Sequence, residues 1–246
     1  MKIRLDKLLV VRGLTPSRER AQALILAGKV LVGEQKKEKA GALVADDAAI
    51  RLLGDDLRYV SRGGLKLEKA LSHWNLDVAG LHCLDVGAST GGFTDCLLQH
   101  GASHVTALDT GYGQIAMKLR QDPRVRLIEK CNARLLTAHA LNEIVDLIVM
   151  DVSFISATLV LPPVLASAFP PDRQGRRAII LVKPQFEVGR EAVGKGGIVR
   201  DEPAQLAAVE KIRQCVLALG AQSTDVIDSP ILGTEGNREF LLYAIF

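Results

Sequence analysis

Hydrophobic runs alternate with amphipathic stretches along the chain beyond residue 65. The runs "LHCLDVG", "HVTALD", "VRLIEK", "VDLIVMDVS", "AIILVK" and "EFLLYAIF" predict strands. The stretches "LKLEKALSHWNL", "GGFTDCLLQHG", "ATLVLPPVLASAF" and "EPAQLAAVEKIRQCVLALG" have helical spacing. Apolar strands interleaved with helices are typical of a doubly wound α/β sheet. We therefore expect an α/β domain over residues 65–246.

The first 58 residues have a different pattern, which predicts a small α+β domain. "RLDKLLVVRG" predicts a helix that ends at Gly13, and "TPSRERAQALILAG" predicts a second helix with Thr15 as its cap and Pro16 at its first position. "KVLV" and "AAIRLL" predict strands on either side of a charged loop, "EQKKEKAG". Gly54 and two aspartates then break the pattern. The predicted boundaries are a domain at 1–58, a linker at 59–64 and a domain at 65–246.

Composition narrows the class of protein. The 246 residues are 48% hydrophobic and contain no run of about 18 apolar residues, and the N-terminus is a poor signal peptide. The four cysteines form no C-x-x-C pair, and the five histidines show no spacing typical of metal ligands. We expect a soluble, cytoplasmic protein with free thiols and no metal.

Residues 1–39 carry 10 Lys and Arg against 4 Asp and Glu, which indicates an anionic partner at this end.

The N-terminal pattern resembles the S4-type RNA-binding domain. The matching segments are "RLDKLL" and "SRERAQALILAGKVLV". The chain departs from the family where Val32-Gly33 replaces the usual Asn-Gly. The alternative is a basic face that is only solvated. The resemblance implies that five basic residues face RNA phosphates: Arg4, Lys7, Arg18, Arg20 and Lys29.

A glycine-rich turn follows the first strand of the larger domain, in "CLDVGASTGGFTD". A glycine turn between strand and helix lets backbone N–H groups meet a ligand, and Asp109, 22 residues after Gly87, could bind a ribose diol. Ser89 stands where a dinucleotide fingerprint has glycine, which disfavours an NAD-dependent oxidoreductase. Asp85 suits an amine or sulfonium better than a phosphate. The turn predicts a nucleoside-bearing cofactor.

This segment resembles the first motif of FtsJ-type RNA ribose methyltransferases. That resemblance implies S-adenosylmethionine as the cofactor and a Rossmann-like methyltransferase sheet, mostly parallel with an antiparallel C-terminal strand. Asn132 is a weaker candidate for contact with the adenine. The expected cofactor-binding residues are Asp85, Gly87, Ala88, Ser89, Thr90, Gly91, Gly92, Phe93, Asp109, Asn132 and Asp151.

Four further residues match the catalytic tetrad of the FtsJ type: Lys66, Asp151, Lys183 and Glu239. With the N-terminal unit, "YVSRGGLKLEKAL", "DVSFIS" and "LVKPQFE", the whole chain resembles the TlyA family. That family comprises rRNA 2′-O-methyltransferases, some of them labelled haemolysins. The resemblance implies rRNA or a ribosomal subunit as partner and a cytidine ribose as acceptor.

The tetrad also makes chemical sense from its residue types. A ribose hydroxyl is a weak nucleophile, and a base should take its proton as it attacks. Lys183 is the expected base, because burial and a second cation, Lys66, favour a neutral amine. Asp151 and Glu239 would orient the lysines. Each residue taken singly could instead form an ordinary ion pair at a strand end.

Other interpretations of the chain remain open. It could be a non-catalytic RNA-binding or ribosome-assembly protein on the same fold. Membrane lysis is suggested only by the label on relatives. Phe154 and Phe186 could flank a base or belong to the core, and "VGKGGIVRD" is expected to form a mobile loop near the active end.

Overall fold

The computed structural model describes residues 2–15, 17–33, 35–53, 58–142, 144–169, 175–233 and 236–246. The chain divides into two compact units, Met1–Arg58 and Tyr59–Phe246. Residues 59 and 60, which we expected to lie in a linker, pack within the second unit: the Tyr59 side chain is buried, and the Val60 amide donates to Asp95 Oδ2 at 2.8 Å. Among the described residues, no helix has the length and apolar character needed to cross a membrane.

The first unit packs two helices against short strands. Its core is formed by Leu5, Leu9, Ile25 and Val30, each fully buried. Strand β1 pairs antiparallel with β4, and a second sheet has the order β3-β2-β5. The elements are β1 (Lys2–Arg4), α1 (Leu5–Val11), α2 (Arg18–Leu26), β2 (Val30–Val32), β3 (Gln35–Lys36), β4 (Leu43–Ala45) and β5 (Ile50–Leu52).

The start of α2 differs from the prediction. The cap is Ser17, whose hydroxyl accepts from the Arg20 amide, so the prediction of Thr15 as cap was wrong. A cap must lie immediately before the first helical residue, and here that residue is Arg18. Pro16 lies outside the described residues, as does the break at Gly54. The predicted charged loop contains the two-residue strand β3, which its polar composition concealed.

The second unit is a seven-stranded sheet with helices on both faces. The strand order is β11-β12-β10-β9-β6-β7-β8. The elements are α3 (Gly63–His73), β6 (His82–Val86), α4 (Gly92–Gln99), β7 (His104–Leu108), α5 (Met117–Arg120), β8 (Val125–Ile128), α6 (Ala138–Leu141), β9 (Leu147–Met150), α7 (Leu161–Ala168), β10 (Arg177–Val182), α8 (Pro184–Glu187), α9 (Glu202–Ala218), β11 (Ser223–Asp228) and β12 (Phe240–Ile245).

Pairing within this sheet is parallel except at the last strand. Strand β12 runs antiparallel to both β10 and β11, whereas β6, β7, β8, β9 and β10 pair in parallel. One core cluster includes residues of α7 and α9, and the other includes residues of α3 and α4. The expected doubly wound sheet with an antiparallel C-terminal strand is confirmed. Strand β11 was not predicted, because its sequence "STDVID" mixes polar and apolar residues without a hydrophobic run.

This topology sets the position of the site. Because β6, β7, β9 and β10 are parallel, their carboxyl ends share one edge of the sheet, and the loops that follow them converge there. Strand β12 runs the other way, so its amino end lies at the same edge. Residues far apart in sequence can therefore surround one cavity.

Candidate active site

The glycine turn between β6 and α4 brings backbone segments close together. Gly87 has a φ of +86°, and a side chain there would collide with the carbonyl of Asp151. Gly91, at φ +95°, leaves no room for a side chain beside Leu119, and Gly92 leaves none beside the Ser61 hydroxyl. The glycines at 91 and 92 therefore allow close packing of the chain against itself. The sequence had indicated only that this turn allows close approach to a ligand.

Two cavities adjoin at this edge of the sheet. The first, here called the tetrad cavity, has a volume of about 280 Å³, and the second, the Asp109 cavity, of about 320 Å³. Gly87, Ser89, Asp151 and Ser153 line both. Of the other expected cofactor-binding residues, five line the tetrad cavity alone: Asp85, Ala88, Thr90, Gly92 and Phe93. Asp109 and Asn132 line the Asp109 cavity alone. Gly91 lines neither of the two.

The four tetrad residues all line the tetrad cavity. Lys66 lies on α3 and Glu239 immediately before β12, and Lys66 Nζ is 2.5 Å from Glu239 Oε2. Asp151 follows β9 and Lys183 follows β10, and Lys183 Nζ is 2.6 Å from Asp151 Oδ1. All four side chains are largely buried, with exposed fractions between 3% and 23%. The cavity is thus flanked by two ion pairs, each with its own carboxylate, a pairing that the sequence pattern did not specify.

Asp85 is the most buried acid of the site. Its Oδ2 accepts from the amide and the hydroxyl of Thr94, at 2.9 and 2.6 Å, which fastens the first turn of α4 to the end of β6. Its Oδ1 is buried and has no hydrogen-bond partner within the described residues. Burial raises the pKa of Asp85 to about 7, and the nearby carboxylates of Asp151 and Asp109 add to this, against the two bonds from Thr94. A cationic group entering the cavity would stabilise the ionised form.

Asp109 directly follows β7, Asn132 lies four residues after the end of the neighbouring strand β8, and both line the Asp109 cavity. Asp109 Oδ2 accepts from the Ser89 amide at 2.8 Å and Oδ1 from the Gly111 amide at 2.6 Å. Ser89 takes a left-handed conformation, with φ +50°, to make its contact. Asn132 Oδ1 accepts from the Arg134 amide at 3.1 Å and caps a short 3₁₀ turn. Both side chains are held in place by backbone groups, so their free lone pairs and the Asn132 amide group have defined positions.

Two residues of this region, Ser153 and Glu187, were not predicted from the sequence, and the position of a third, Phe154, was left open. Ser153 lines both cavities and accepts a hydrogen bond from Lys183 Nζ at 2.6 Å. Phe154, with φ +63°, is 91% exposed and lies 5.3 Å from the Phe186 ring, so it is not a core residue. Glu187 is buried and bonds to Ser156 and Ala157. The motifs "DVSFIS" and "KPQFE" had drawn attention to these segments, but residue type alone did not distinguish packing from function.

In the N-terminal unit, Asp6 organises part of the basic surface. Arg4 Nη2 and Arg18 Nε lie 2.9 and 3.0 Å from Asp6 Oδ2, and both arginine side chains stay about half exposed. The Gln22 amide donates to the same oxygen at 3.0 Å. These contacts, Arg4 foremost, hold the pKa of the buried Asp6 carboxyl well below its usual range.

The other expected RNA-binding residues are distributed over the same unit. Lys7 on α1 and Lys29 before β2 are exposed, and Arg20 on α2 is partly exposed. The structure thus brings Arg4 and Arg18 together on one carboxylate. It gives no such shared partner to Lys7 and Lys29 among the contacts of the described residues.

Comparison with known proteins identifies both units. Residues 59–246 match the model of the FtsJ-like methyltransferase family, and residues 3–50 match that of the S4 domain. The chain is 45% identical to the 16S/23S rRNA (cytidine-2′-O)-methyltransferase TlyA of Mycobacterium tuberculosis, over 98% of the chain and 89% of that protein. It is 41% identical to a protein of Brachyspira hyodysenteriae named Hemolysin A, over 99% of the chain and all of that protein.

Solved structures agree with this assignment. A protein from Streptococcus thermophilus is 41% identical and superposes with a TM-score of 0.75, covering 99% of this chain and 88% of that one. The O-methyltransferase of Bacillus cereus, at 16% identity and a TM-score of 0.52, covers 78% of this chain and 84% of that one and shows the fold alone. A family model matches the whole second unit, and relatives at more than 40% identity match nearly the full length of the chain. The chain therefore belongs to the TlyA family of FtsJ-like methyltransferases, and it carries an S4 domain at its N-terminus.

Proposed function

We propose that this protein transfers a methyl group from S-adenosylmethionine to the 2′-hydroxyl of a cytidine ribose in rRNA. The observation that carries the proposal is the meeting of two lysine–carboxylate pairs, Lys66–Glu239 and Lys183–Asp151, in one cavity beside the glycine turn. The relatives named as rRNA (cytidine-2′-O)-methyltransferases supply the acceptor. An rRNA substrate would place the protein in the cytoplasm.

The residues around the two cavities fit this cofactor. Asp85 offers a buried oxygen without a partner, which suits the cationic end of the molecule. Asp109, at the end of β7, suits the ribose diol, and Asn132 the adenine. Gly87, Ala88, Ser89, Thr90, Gly92 and Phe93 would form the wall between these ends, and Gly91 would act through the turn it permits. When bound, the cofactor supplies a methyl carbon activated by a positively charged sulfur.

Lys183 is the proposed base. Asp151 and Ser153 hold its Nζ at 2.6 Å each, at the boundary of the two cavities. In the reaction the ribose oxygen gains the methyl group, its proton passes to Lys183 Nζ, and the electrons of the broken carbon–sulfur bond stay on sulfur. Lys66 and Glu239 would position the acceptor on the opposite side of the cavity. Alignment of the reacting atoms can supply several kcal/mol of barrier reduction.

The S4 domain is the proposed anchor for RNA. Contacts from Arg4, Lys7, Arg18, Arg20 and Lys29 to phosphates would position the substrate without reading its sequence. Phe154 presents an exposed ring three residues after Asp151. An aromatic ring in such a place can stack on an unpaired base, which is how proteins commonly hold single-stranded nucleotides.

The test is methyl transfer to ribosomal subunits, followed by mapping of ribose methylation in rRNA by mass spectrometry. Wild-type protein should add a methyl group to the 2′-oxygen of cytidine. Lys183→Ala should abolish transfer, and so should Lys183→Arg, because a guanidinium keeps its proton at neutral pH. Lys69→Ala, an exposed lysine on α3, is the matched control and should retain full activity. Normal ribose methylation by Lys183→Ala would refute the assignment of the base.

A further inference from the structure

Lys183 Nζ has two oxygen neighbours of different kinds: it donates a hydrogen bond to Ser153 Oγ and forms an ion pair with Asp151 Oδ1. Asp151 Oδ1 and Ser153 Oγ both lie 2.6 Å away. The two residues are on the same loop after β9, and both line the boundary between the two cavities. Asp151 has a role in the proposed function, whereas the hydroxyl of Ser153 has none so far.

The hydrogen bond to Ser153 matters because it restricts where the lone pair of the Lys183 amine can point. A neutral lysine amine has two N–H bonds and one lone pair. The ion pair with Asp151 is an electrostatic attraction that does not fix where each N–H points, so by itself it leaves rotation about the Cε–Nζ bond open. The hydrogen bond to Ser153 Oγ engages one N–H, and the negative charge of Asp151 disfavours a lone pair that faces the carboxylate, so the lone pair has one remaining direction.

We propose that Ser153 is a positioning residue that fixes the rotation of the Lys183 amine, so that its lone pair meets the acceptor hydroxyl. The inference rests on the proposed function, in which Lys183 is the base. It assigns to Ser153 an effect on the rate of methyl transfer through Lys183, and none on the affinity for the methyl donor.

The loop that carries Ser153 is held rigidly enough for this role. Glu187, at the end of α8, accepts from Ser156 Oγ at 2.5 Å and from the Ala157 amide at 2.7 Å. Lys211 on α9 lies 3.1 Å from the same carboxylate. Helix α8 begins directly after Lys183, so the two ends of the Lys183–Ser153 hydrogen bond belong to segments that Glu187 ties together. A mobile loop could not hold the Lys183 amine at one rotation about the Cε–Nζ bond.

The experiment compares Ser153→Ala, Ser153→Thr and the matched control Ser156→Ala in single-turnover methyl transfer across pH. Ser156 lies on the same loop, bonds to Glu187 and lines neither of the two cavities. For Ser153→Ala we expect a rate about 10- to 100-fold lower at every pH, including any plateau that the wild-type rate reaches at high pH. Ser153→Thr keeps a hydroxyl and should recover to within about threefold of wild type, and Ser156→Ala should stay within about twofold. Donor affinity should change by less than about threefold in all three, measured by calorimetry.

Several outcomes would overturn the inference. A normal plateau rate for Ser153→Ala would do so, as would a loss that disappears at high pH, since the hydroxyl would then act on protonation and not on orientation. An equal loss in Ser156→Ala would show that loosening of the loop is the cause. Lys183→Ala, measured alongside, separates the two proposals: if it is active, the proposed base is wrong, and if it is inactive while Ser153→Ala is normal, only the role of Ser153 fails.

Discussion

Lys66 and Glu239 are 173 positions apart in the sequence, and their side chains meet at 2.5 Å inside the tetrad cavity. Glu239 is 3% exposed and Lys66 10%. Gly233 makes room for this arrangement, because a side chain there would collide with Glu239 Oε1. Breaking a buried ion pair from one side leaves a charge without compensation, which costs more than replacing both partners.

Variants of the Lys66–Glu239 pair should therefore affect stability and activity differently. Lys66→Met should lower the free energy of unfolding by about 3 kcal/mol, because it leaves Glu239 buried and unpaired. The double variant Lys66→Met, Glu239→Gln should regain most of that loss but remain without methyl transfer. Denaturant unfolding measures the first effect and transfer to ribosomal subunits the second. Equal instability of the single and double variants would show that the pair contributes packing and no charge compensation.

Asp85 should make stability depend on pH. Its pKa in the folded protein is about 7, above the ordinary value of 3.8 for an aspartate. Below about pH 4 the carboxyl is protonated in both the folded and the unfolded protein, so it does not change the free energy of unfolding. Between about pH 4 and 7 the carboxyl ionises in the unfolded protein but stays largely protonated in the folded one, so the free energy of unfolding falls as pH rises. Asp85→Asn should thus be more stable than wild type by on the order of 2 kcal/mol at pH 8 and equal near pH 4. Thermal unfolding at both pH values measures this, and a difference independent of pH would contradict it.

The same carboxyl should link donor binding to proton release. A cation near Asp85 favours its ionised form, so binding at pH 7 should release part of a proton and affinity should rise as pH increases through 7. Calorimetry in two buffers of different ionisation enthalpy measures the released proton. Asp85→Asn should bind the donor about tenfold more weakly or worse, with no proton released. Proton release that persists in this variant would assign the effect to another group.

Exposed lysines of the S4 domain should control the salt dependence of RNA binding. Each lysine that contacts a phosphate releases counterions, so Lys7→Ala and Lys29→Ala should each reduce the slope of log affinity against log salt by about 0.7–0.9. Lys69→Ala is again the control, with an unchanged slope. Binding to rRNA fragments at several salt concentrations measures this. An unchanged slope in both variants would remove these two residues from the RNA interface.

Glu187 should contribute to the free energy of unfolding. Glu187→Ala leaves the Ala157 amide without its acceptor and removes the carboxylate partner of Lys211, which keeps its hydrogen bond to the backbone carbonyl of residue 187. The variant should lower the free energy of unfolding by about 1–3 kcal/mol. Glu187→Gln keeps a carbonyl for the Ala157 amide and should cost less. Urea unfolding compares the two. If Gln were as damaging as Ala, the ion pair with Lys211, rather than the bond to the amide, would dominate.

The positions of the main helices and strands were predictable because their signals are local. A buried parallel strand such as β6 reads as a continuous apolar run, and α9 shows helical spacing over four turns. Where the local signal was weak the prediction failed: β11 has no apolar run, and the cap of α2 depends on which of two nearby hydroxyls reaches the Arg20 amide. Residue type left Phe154 open between flanking a base and packing in the core, and the structure shows its ring 91% exposed at a left-handed backbone position.

By itself, the sequence determined the fold class, the glycine turn and the identity of four candidate catalytic residues, because these depend on residue type and order. Only the tertiary structure decided which lysine pairs with which carboxylate, that Asp85 is buried with one oxygen unpartnered, and that Ser153 bonds to Lys183 and Glu187 to the loop after β9. Such pairings join residues on separate strands and helices. They depend on how the sheet is ordered and twisted in space, and no spacing along a single segment encodes that.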